Sequence, residues 1–185
     1  MKQILLTLAL IGLLMTPALA TEVAGVKLPD QVEIGGEQLQ LNGYGMRKKY
    51  FFKIYVGSLY TAQKATSTAQ VVEGTGPKLL RMDFLYSKVE KDKIVGGFAE
   101  GIKKNTPALV DDPAIVEFLK LFDRDFVAKD QVDLAITANN QVQVSHNGRQ
   151  LGTIESANLA RAVLLIYLGN DPADDEMKAG MLGNI

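Results

Sequence analysis

One segment of the sequence combines the residue types that bind an organic anion in an apolar setting. Arg47 stands at the start of a long aromatic and β-branched stretch that contains Tyr55 and Tyr60. A guanidinium can donate two parallel hydrogen bonds to a carboxylate, and a tyrosine hydroxyl can donate a third. The segment is therefore a candidate for a cleft that holds a carboxylate or an oxyanion. The alternative is structural: the tyrosines pack in a core, and Arg47 is a solvated charge at a strand end.

The stretch over residues 47–61 has the composition of a β-strand, because it is rich in aromatic and β-branched residues. Alternation places Tyr60 with the even-numbered positions on one face, and Tyr55 with Leu59 on the other. Both faces carry apolar side chains, so we expect this strand to be covered on both sides. Gly57 in its middle predicts a bulge or a close approach of another backbone.

The other predicted elements fall into separate runs of strands and helices, which is typical of an α+β domain whose antiparallel sheet is covered by helices. Paired glycines at 35–36 and asparagines at 139–140 predict hairpin turns, and Gly43-Tyr44-Gly45 predicts a turn. Further strands are predicted at Leu79–Tyr86, Val132–Thr137, Val142–Ser145 and Gln150–Ile154. Helices are predicted at Ser67–Glu73, Lys91–Lys104, from Asp112 through Phe122, Leu159–Leu168 and Pro172–Met181.

The N-terminus predicts export. Lys2 is followed by the uncharged run Ile4–Met15 and by Ala18-Leu19-Ala20, which is the order of a cleavable signal peptide. Cleavage after Ala20 leaves 165 of the 185 residues, Thr21–Ile185, as one ordinary domain. We therefore expect a periplasmic protein, and the absence of a second long apolar run argues against stable membrane insertion after cleavage.

Composition excludes several classes of function. The chain has no cysteine and one histidine, so thiolate catalysis, Cys-ligated zinc and paired-histidine metal sites are excluded. A net charge of about −2 after cleavage, without a basic run, makes nucleic acid and anionic membrane surfaces poor candidates as partners. No phosphate loop, dinucleotide fingerprint or zinc-protease motif is present, so no metal and no cofactor is expected.

The remaining titratable residues do not form an obvious catalytic group. The pairs Asp111-Asp112 and Asp174-Asp175 fit helix starts, where acidic groups meet the positive end of the helix dipole. His146 lies where a predicted strand runs into Asn147-Gly148, and we expect a solvated turn histidine and not a general base.

Several segments, in order along nearly the whole domain, resemble the chalcone-isomerase-like family, and in particular its exported bacterial branch. The segments that carry the resemblance are Val26–Pro29, Leu41–Arg47, Tyr55–Tyr60 and Ala162–Gly169. The resemblance implies an open-faced β-sandwich, in which a large antiparallel sheet has helices packed on one face and a ligand cleft between them. It also implies one of two functions: cyclisation of a chalcone to a flavanone, or non-catalytic binding of a fatty acid.

The resemblance assigns roles to individual residues only in part. Arg47 matches the family's pocket arginine, Tyr60 the tyrosine that accompanies it in fatty-acid binders, and Tyr86 an active-site tyrosine of the isomerases. Asp92 or Lys93 falls where the isomerases have an asparagine. Two polar pocket residues of the isomerases are unmatched: Lys53, Ile54 and Tyr55 occupy the place of one, and Arg149 lies nearest to the other.

Three functions therefore stay open. The first is a non-catalytic binder of a fatty acid or other apolar carboxylate, with Arg47, Tyr55, Tyr60 and Tyr86 as the ligand-binding residues. The second is an intramolecular lyase acting on a phenolic enone, with Arg47 and Tyr86 as catalytic candidates. The third is an interaction protein without a small ligand, whose sheet and helices would enclose no cavity.

Overall fold

The computed structural model describes residues 21–184, so the predicted signal peptide over residues 1–20 lies outside the described residues. The strands are β1 (Thr21–Val23), β2 (Val26–Leu28), β3 (Gln31–Ile34), β4 (Glu37–Lys49), β5 (Phe52–Thr61), β6 (Lys78–Phe84), β7 (Lys88–Val89), β8 (Phe126–Val127), β9 (Gln131–Ile136), β10 (Gln141–His146) and β11 (Arg149–Glu155). The helices are α1 (Thr68–Glu73), α2 (Lys91–Asn105), α3 (Pro113–Lys120), α4 (Ala157–Leu168) and α5 (Asp175–Met181), with a 3-10 turn at Pro107–Leu109.

Seven of the strands form one curled antiparallel sheet in the order β11-β10-β9-β6-β5-β4-β3. The α+β prediction is therefore confirmed, as are both predicted hairpins: Gly35 and Gly36 form the β3–β4 turn with positive φ values of 61° and 83°, and Asn140 lies in the β9–β10 turn. Two short pairs, β1–β2 and β7–β8, were not predicted, because strands of two or three residues carry too little alternation to be recognised.

Helices pack on one face of the sheet. Strand alternation directs Tyr55 and Leu59 of β5 into the large core formed with α2, α4 and α5, whereas Tyr60 faces the other way. The core of the opposite face is smaller and consists of sheet residues alone. Its buried members are Leu39, Tyr60, Leu79 and Ala135, with Val32, Ile34 and Leu41 packed against them.

Three glycines let α5 lie directly on the sheet; Gly43, Gly45 and Gly57 are called the glycine stripe below. A Cβ atom on Gly43 would collide with the carbonyl oxygen of Gly180, and one on Gly45 with the backbone of Met177. A Cβ on Gly57 would lie 2.7 Å from both Met177 Sδ and Met181 Cε, so a close approach exists at this position, but side chains make it and not the backbone or bulge that the sequence predicted. The sheet and α5 are thus closer here than any side chain would permit.

The predicted turn at Gly43-Tyr44-Gly45 is wrong, because these residues lie within the thirteen-residue strand β4. A glycine-rich stretch favours a turn when only local sequence is considered. Here the glycines are needed for contact with α5, which lies more than 130 residues later in the chain.

Side-chain caps begin several helices where the sequence predicts them. Asp112 accepts a hydrogen bond from the Ala114 N–H at 2.9 Å, and Ser156 accepts one from Leu159 at 3.1 Å. Asp174 does the same for α5, from Met177 at 3.0 Å, so this helix begins later than predicted. Both acidic pairs therefore lie at helix starts, as expected from the dipole.

Candidate ligand-binding cavity

A cavity of about 780 Å³ lies between the β4–β5 end of the sheet and helix α2. Its size falls within the roughly 300–1,000 Å³ of typical small-molecule sites. The apolar side chains that line it are Ile54, Val89, Ile94, Phe98, Ile166 and Ala173. Arg47, Tyr55 and Tyr86 line the same cavity, so the structure brings together three of the four predicted ligand-binding residues.

Arg47 and Tyr55 are neighbours because they pair across β4 and β5, and both side chains face the helices. Immediately beyond this pair the register shifts: Lys48 pairs with Lys53, so Ile54 is an extra residue in β5. The carbonyl of Ile54 accepts hydrogen bonds from the backbone N–H groups of Leu85 (2.9 Å) and Tyr86 (3.2 Å). This bulge directs Ile54 into the cavity and fixes Tyr86 at its edge.

The guanidinium of Arg47 has one weak charged partner. Its NH1 atom lies 3.5 Å from Oδ2 of Asp174, and NH1 also donates to the Lys48 carbonyl at 3.3 Å. Within residues 21–184, both hydrogen bonds of this side chain use NH1, which leaves Nε and NH2 available to a ligand. Asp174 is positioned by its other oxygen, which caps helix α5.

Tyr55 is a neutral hydrogen-bond donor beside this arginine. The side chain is 5% exposed, and burial raises its pKa to about 12, although the nearby Arg47 charge and Tyr167 hydroxyl act in the opposite direction. Burial also raises the pKa of Tyr167 well above its usual value, and Tyr55 adds to that shift. The Tyr167 hydroxyl donates to Met82 Sδ at 3.1 Å, so it is already partnered, whereas Tyr55 lines the cavity.

Helix α2 contributes glycine backbone as well as side chains to the cavity wall. Gly97 and Gly101 lie one turn apart on its cavity side, and a Cβ atom added to Gly97 would meet nothing within 4 Å. Glycine inside a helix costs about 1 kcal/mol relative to alanine, so its presence here needs a reason. Packing does not require glycine at position 97, so space for a ligand is one reason that would account for it. The corresponding sequence signal is the presence of three glycines, Gly96, Gly97 and Gly101, in one amphipathic helix.

Charged side chains surround the mouth of the cavity. Lys88 pairs with Asp125 at 2.9 Å, and Lys104 pairs with Glu100 at 3.1 Å, so these two lysines are largely neutralised. Lys49 also lines the cavity, as do Asp92 and Lys93, which the resemblance places near the substrate. The lining is therefore mixed in charge, since Glu90, Asp92, Glu100 and Asp171 also contribute to it, and Arg47 and Lys49 are the cations at its β4 end.

The structure does not bring Tyr60 together with Arg47. Tyr60 is completely buried on the opposite face of the sheet, where its ring lies 5.8 Å below the guanidinium carbon of Arg81. Tyr55 and Tyr60 are five residues apart in one strand, and an odd separation places two side chains on opposite faces. Tyr55 therefore stands where the resemblance had placed Tyr60, beside the pocket arginine.

His146 and Arg149 both lie outside the cavity. The expectation of a solvated His146 is wrong: the side chain is 4% exposed and stacks on Phe126 with ring centroids 5.2 Å apart. Its Nε2 lies 3.0 Å from Oδ2 of Asp130. Arg149 instead donates to both carboxylate oxygens of Asp123 at 2.8 Å on the edge strand β11.

Residues 21–184 contain neither a metal-binding cluster nor a membrane-spanning helix. Within this part of the chain, no three histidine, aspartate or glutamate side chains are grouped so that they could hold a metal ion. None of its helices is long and apolar enough to cross a membrane.

Comparison with known proteins agrees with this fold. A family model described as chalcone isomerase-like matches residues 20–183. Fatty-acid-binding protein 1 of Arabidopsis thaliana is 22% identical over 180 residues, and the match covers 80% of this chain but 64% of that protein. The crystal structure of an Arabidopsis thaliana fatty-acid-binding protein matches with a TM-score of 0.71 at 19% identity, covering 90% of this chain and 96% of that one. The likeness confirms the predicted fold.

Proposed function

Because the chain belongs to the chalcone isomerase-like family, we propose that it binds a fatty acid or a similar apolar carboxylate without transforming it. The relatives named as fatty-acid-binding proteins support this choice of ligand. The chain spans 64% of the length of the curated relative. The proposal therefore concerns only the ligand binding of the domain that the two proteins share.

The observation that carries the proposal is the weak pairing of Arg47 with the carboxylates of the protein. The Arg47 side chain is two-thirds buried, a setting that favours pairing of its charge, and the only carboxylate near it within residues 21–184 is 3.5 Å away. A ligand carboxylate can take two parallel hydrogen bonds from Nε and NH2, and Tyr55 can donate a third. The hydrocarbon tail then lies along Ile94, Phe98 and Ile166.

The proposal includes export. A signal peptide ending at Ala20 would deliver residues 21–185 to the periplasm, where a soluble carrier for an apolar acid has a clear use. Its support is the cationic start, apolar run and small-residue cleavage pattern in the first twenty residues. N-terminal sequencing of the mature protein tests this part by itself, since an intact Met1 would contradict it.

Isomerisation of a phenolic enone is the second candidate, because Arg47 and Tyr86 line one cavity. In such a reaction Arg47 would stabilise the developing enolate oxygen. The two polar pocket residues of the isomerases without a match in this sequence argue for binding alone. Turnover of a hydroxychalcone by the folded protein, abolished by Arg47→Met, would favour this candidate over the first.

The decisive experiment is a calorimetric titration of palmitate and of its methyl ester. Arg47→Met should weaken palmitate binding by more than tenfold, or about 1.4 kcal/mol, and leave the ester unaffected. Asp174→Asn is the matched variant: asparagine retains the helix cap but removes the competing negative charge. It should strengthen palmitate binding severalfold. Equal palmitate affinity in all three proteins would reject the assigned role of Arg47.

A further inference from the structure

The turn between β4 and β5 exposes three consecutive aromatic side chains, Tyr50, Phe51 and Phe52. Their exposed fractions are 85%, 100% and 53%. The other large apolar side chains that are exposed among residues 21–184 are Val110, Val116 and Val127, at 38%, 38% and 45%, and no two of them are adjacent in the sequence. Isolated exposed apolar residues are ordinary, whereas a contiguous exposed group marks an interaction surface. We call residues 48–53 the aromatic tip.

The backbone of the aromatic tip is held in an unfavourable conformation. Tyr50 has a φ of 54°, in the left-handed region that turns usually fill with glycine, asparagine or aspartate. An aromatic residue there gains no burial in exchange, because its side chain is almost fully exposed. Strain at an exposed turn that neither packing nor turn preference explains is a reason to look for a function.

Lysines surround the three aromatic residues. Lys48, Lys49 and Lys53 are all exposed, and Lys48 has one acidic partner, Glu176, at 2.9 Å. The longer segment over residues 38–72 contains five basic residues and no acidic one, in a chain whose net charge is −1. Lys64 lies at the other end of β4, where it donates to the Leu41 and Asn42 carbonyls, and Arg47 and Lys48 pair with acidic residues of the α5 region. Lys49 and Lys53 have no acidic partner within residues 21–184, so a positive excess remains at the turn, although the composition of the whole chain suggested that anionic surfaces were poor partners.

We propose that the aromatic tip docks reversibly on an anionic lipid bilayer. Aromatic side chains are favoured at the level of the lipid headgroups, and nearby lysines are attracted to anionic lipids. A two-residue turn presents a narrow projection that can enter a fluid interface. It does not offer the area of roughly 800 Å² per partner that a stable protein complex uses.

The position of the aromatic tip explains what docking would achieve. Phe52 packs edge-on against Tyr86 with centroids 5.3 Å apart, and Tyr86 lines the cavity, as does Lys49. Docking therefore brings the cavity mouth to the bilayer surface, where an apolar acid could exchange without crossing water. This consequence rests on the proposed function, whereas docking itself does not.

The chain has no tryptophan, which makes a direct test possible. In Phe51→Trp protein the single indole should shift its emission to shorter wavelength on addition of vesicles containing 30% phosphatidylglycerol. Val116→Trp, on the exposed side of α3, is the matched control and should not shift. An unshifted Phe51→Trp spectrum, or an equal shift in the control, would overturn the proposal.

Vesicle cosedimentation of ligand-free protein measures how much Phe51 and Lys53 each contribute to binding of the vesicles. Phe51→Ser should weaken binding about tenfold through the loss of one aromatic side chain, and Lys53→Gln about fivefold through the loss of one charge. Pure phosphatidylcholine vesicles should bind much more weakly. Both variants should retain their affinity for soluble fatty acid, so failure of docking and failure of ligand binding are distinguishable. Retention of full vesicle binding by Phe51→Ser would contradict docking of the aromatic tip on lipid.

Discussion

The two faces of the sheet each place an arginine beside a tyrosine, but the two arginines differ in their partners. Arg81, on the face without helices, donates from Nε and NH2 to the two carboxylate oxygens of Asp133 at 2.7 and 2.8 Å. The ring of Tyr60 covers its guanidinium. On the helical face, Arg47 has a single carboxylate partner at 3.5 Å, and its Nε and NH2 groups make no hydrogen bond within residues 21–184.

This difference separates the structural role of Arg81 from the binding role proposed for Arg47. The donors of Arg81 that could grip a ligand carboxylate are occupied by a carboxylate of the protein itself. Arg47 keeps the corresponding donors free and faces a cavity of about 780 Å³. The Tyr60 hydroxyl is buried without a hydrogen-bond partner among residues 21–184, so its ring makes the contact with Arg81. Residue type alone could not distinguish the two arginine–tyrosine pairs. They differ in whether Nε and NH2 of the arginine are already hydrogen-bonded to a carboxylate of the protein.

The largest effect is expected from breaking the structural pair. Asp133→Ala leaves a largely buried arginine without its partner and should lower the free energy of unfolding by about 3 kcal/mol. Urea denaturation measures this change. Palmitate affinity should stay within twofold of the original, because Arg81 lies on the face opposite to the cavity. The double variant Arg81→Met/Asp133→Leu should recover most of the stability, since no unpaired charge remains. An affinity that falls with stability would mean that the two faces are coupled.

At the cavity wall we expect the opposite result: a substitution that weakens palmitate binding but raises the free energy of unfolding. Gly97→Leu fills open space with a side chain and should weaken palmitate binding by at least tenfold. The same change replaces a poor helix former and should raise the free energy of unfolding by up to about 1 kcal/mol. Gly97→Ala is the control, because it gives a similar helix gain with little loss of volume. A Leu variant that is more stable and binds normally would place the ligand elsewhere.

The smallest effects concern single hydroxyl groups. Tyr55→Phe should weaken palmitate binding about fivefold, the value of one hydrogen bond of about 1 kcal/mol, and Tyr60→Phe should not change it. Calorimetric titration of both variants measures this. Equal losses in the two variants would remove the distinction between the faces.

Tyr55 should also contribute to stability at high pH. Its folded pKa of about 12 is above its unfolded value near 10. The stabilisation is therefore complete below pH 10 and is lost as the pH rises to about 12, because the unfolded chain releases the proton first. Chemical denaturation between pH 9 and 12 should show a shallower decline for Tyr55→Phe than for the original protein. Parallel declines would contradict the buried, neutral phenol.

The sequence predicted the features that depend on nearby residues. The Gly35-Gly36 hairpin, the Asp112 cap and the opposite orientation of Tyr55 and Tyr60 all follow from local chemistry and strand alternation. Assignment of Tyr60 to the Arg47 site followed the resemblance and neglected that alternation, although the alternation was already apparent.

Features that depend on distant contacts were not predictable from the sequence alone. The strand conformation of Gly43 and Gly45 depends on α5, and the burial of His146 depends on Phe126, twenty residues earlier. The weak pairing of Arg47 with Asp174 joins positions 127 residues apart. Local periodicity reports which face a residue occupies, but it carries no information about what lies opposite that face.

The glycine stripe has a consequence for how this protein can change during evolution. It fixes the height of α5 above the sheet, and α5 in turn places Asp174 beside Arg47. Adding one methyl group at Gly45 would move the helix and with it the carboxylate beside Arg47, while every residue that lines the cavity stayed the same. Under the proposed function, two descendants with identical cavity residues could therefore inherit different ligand affinities, and a comparison of cavity residues alone would miss the difference.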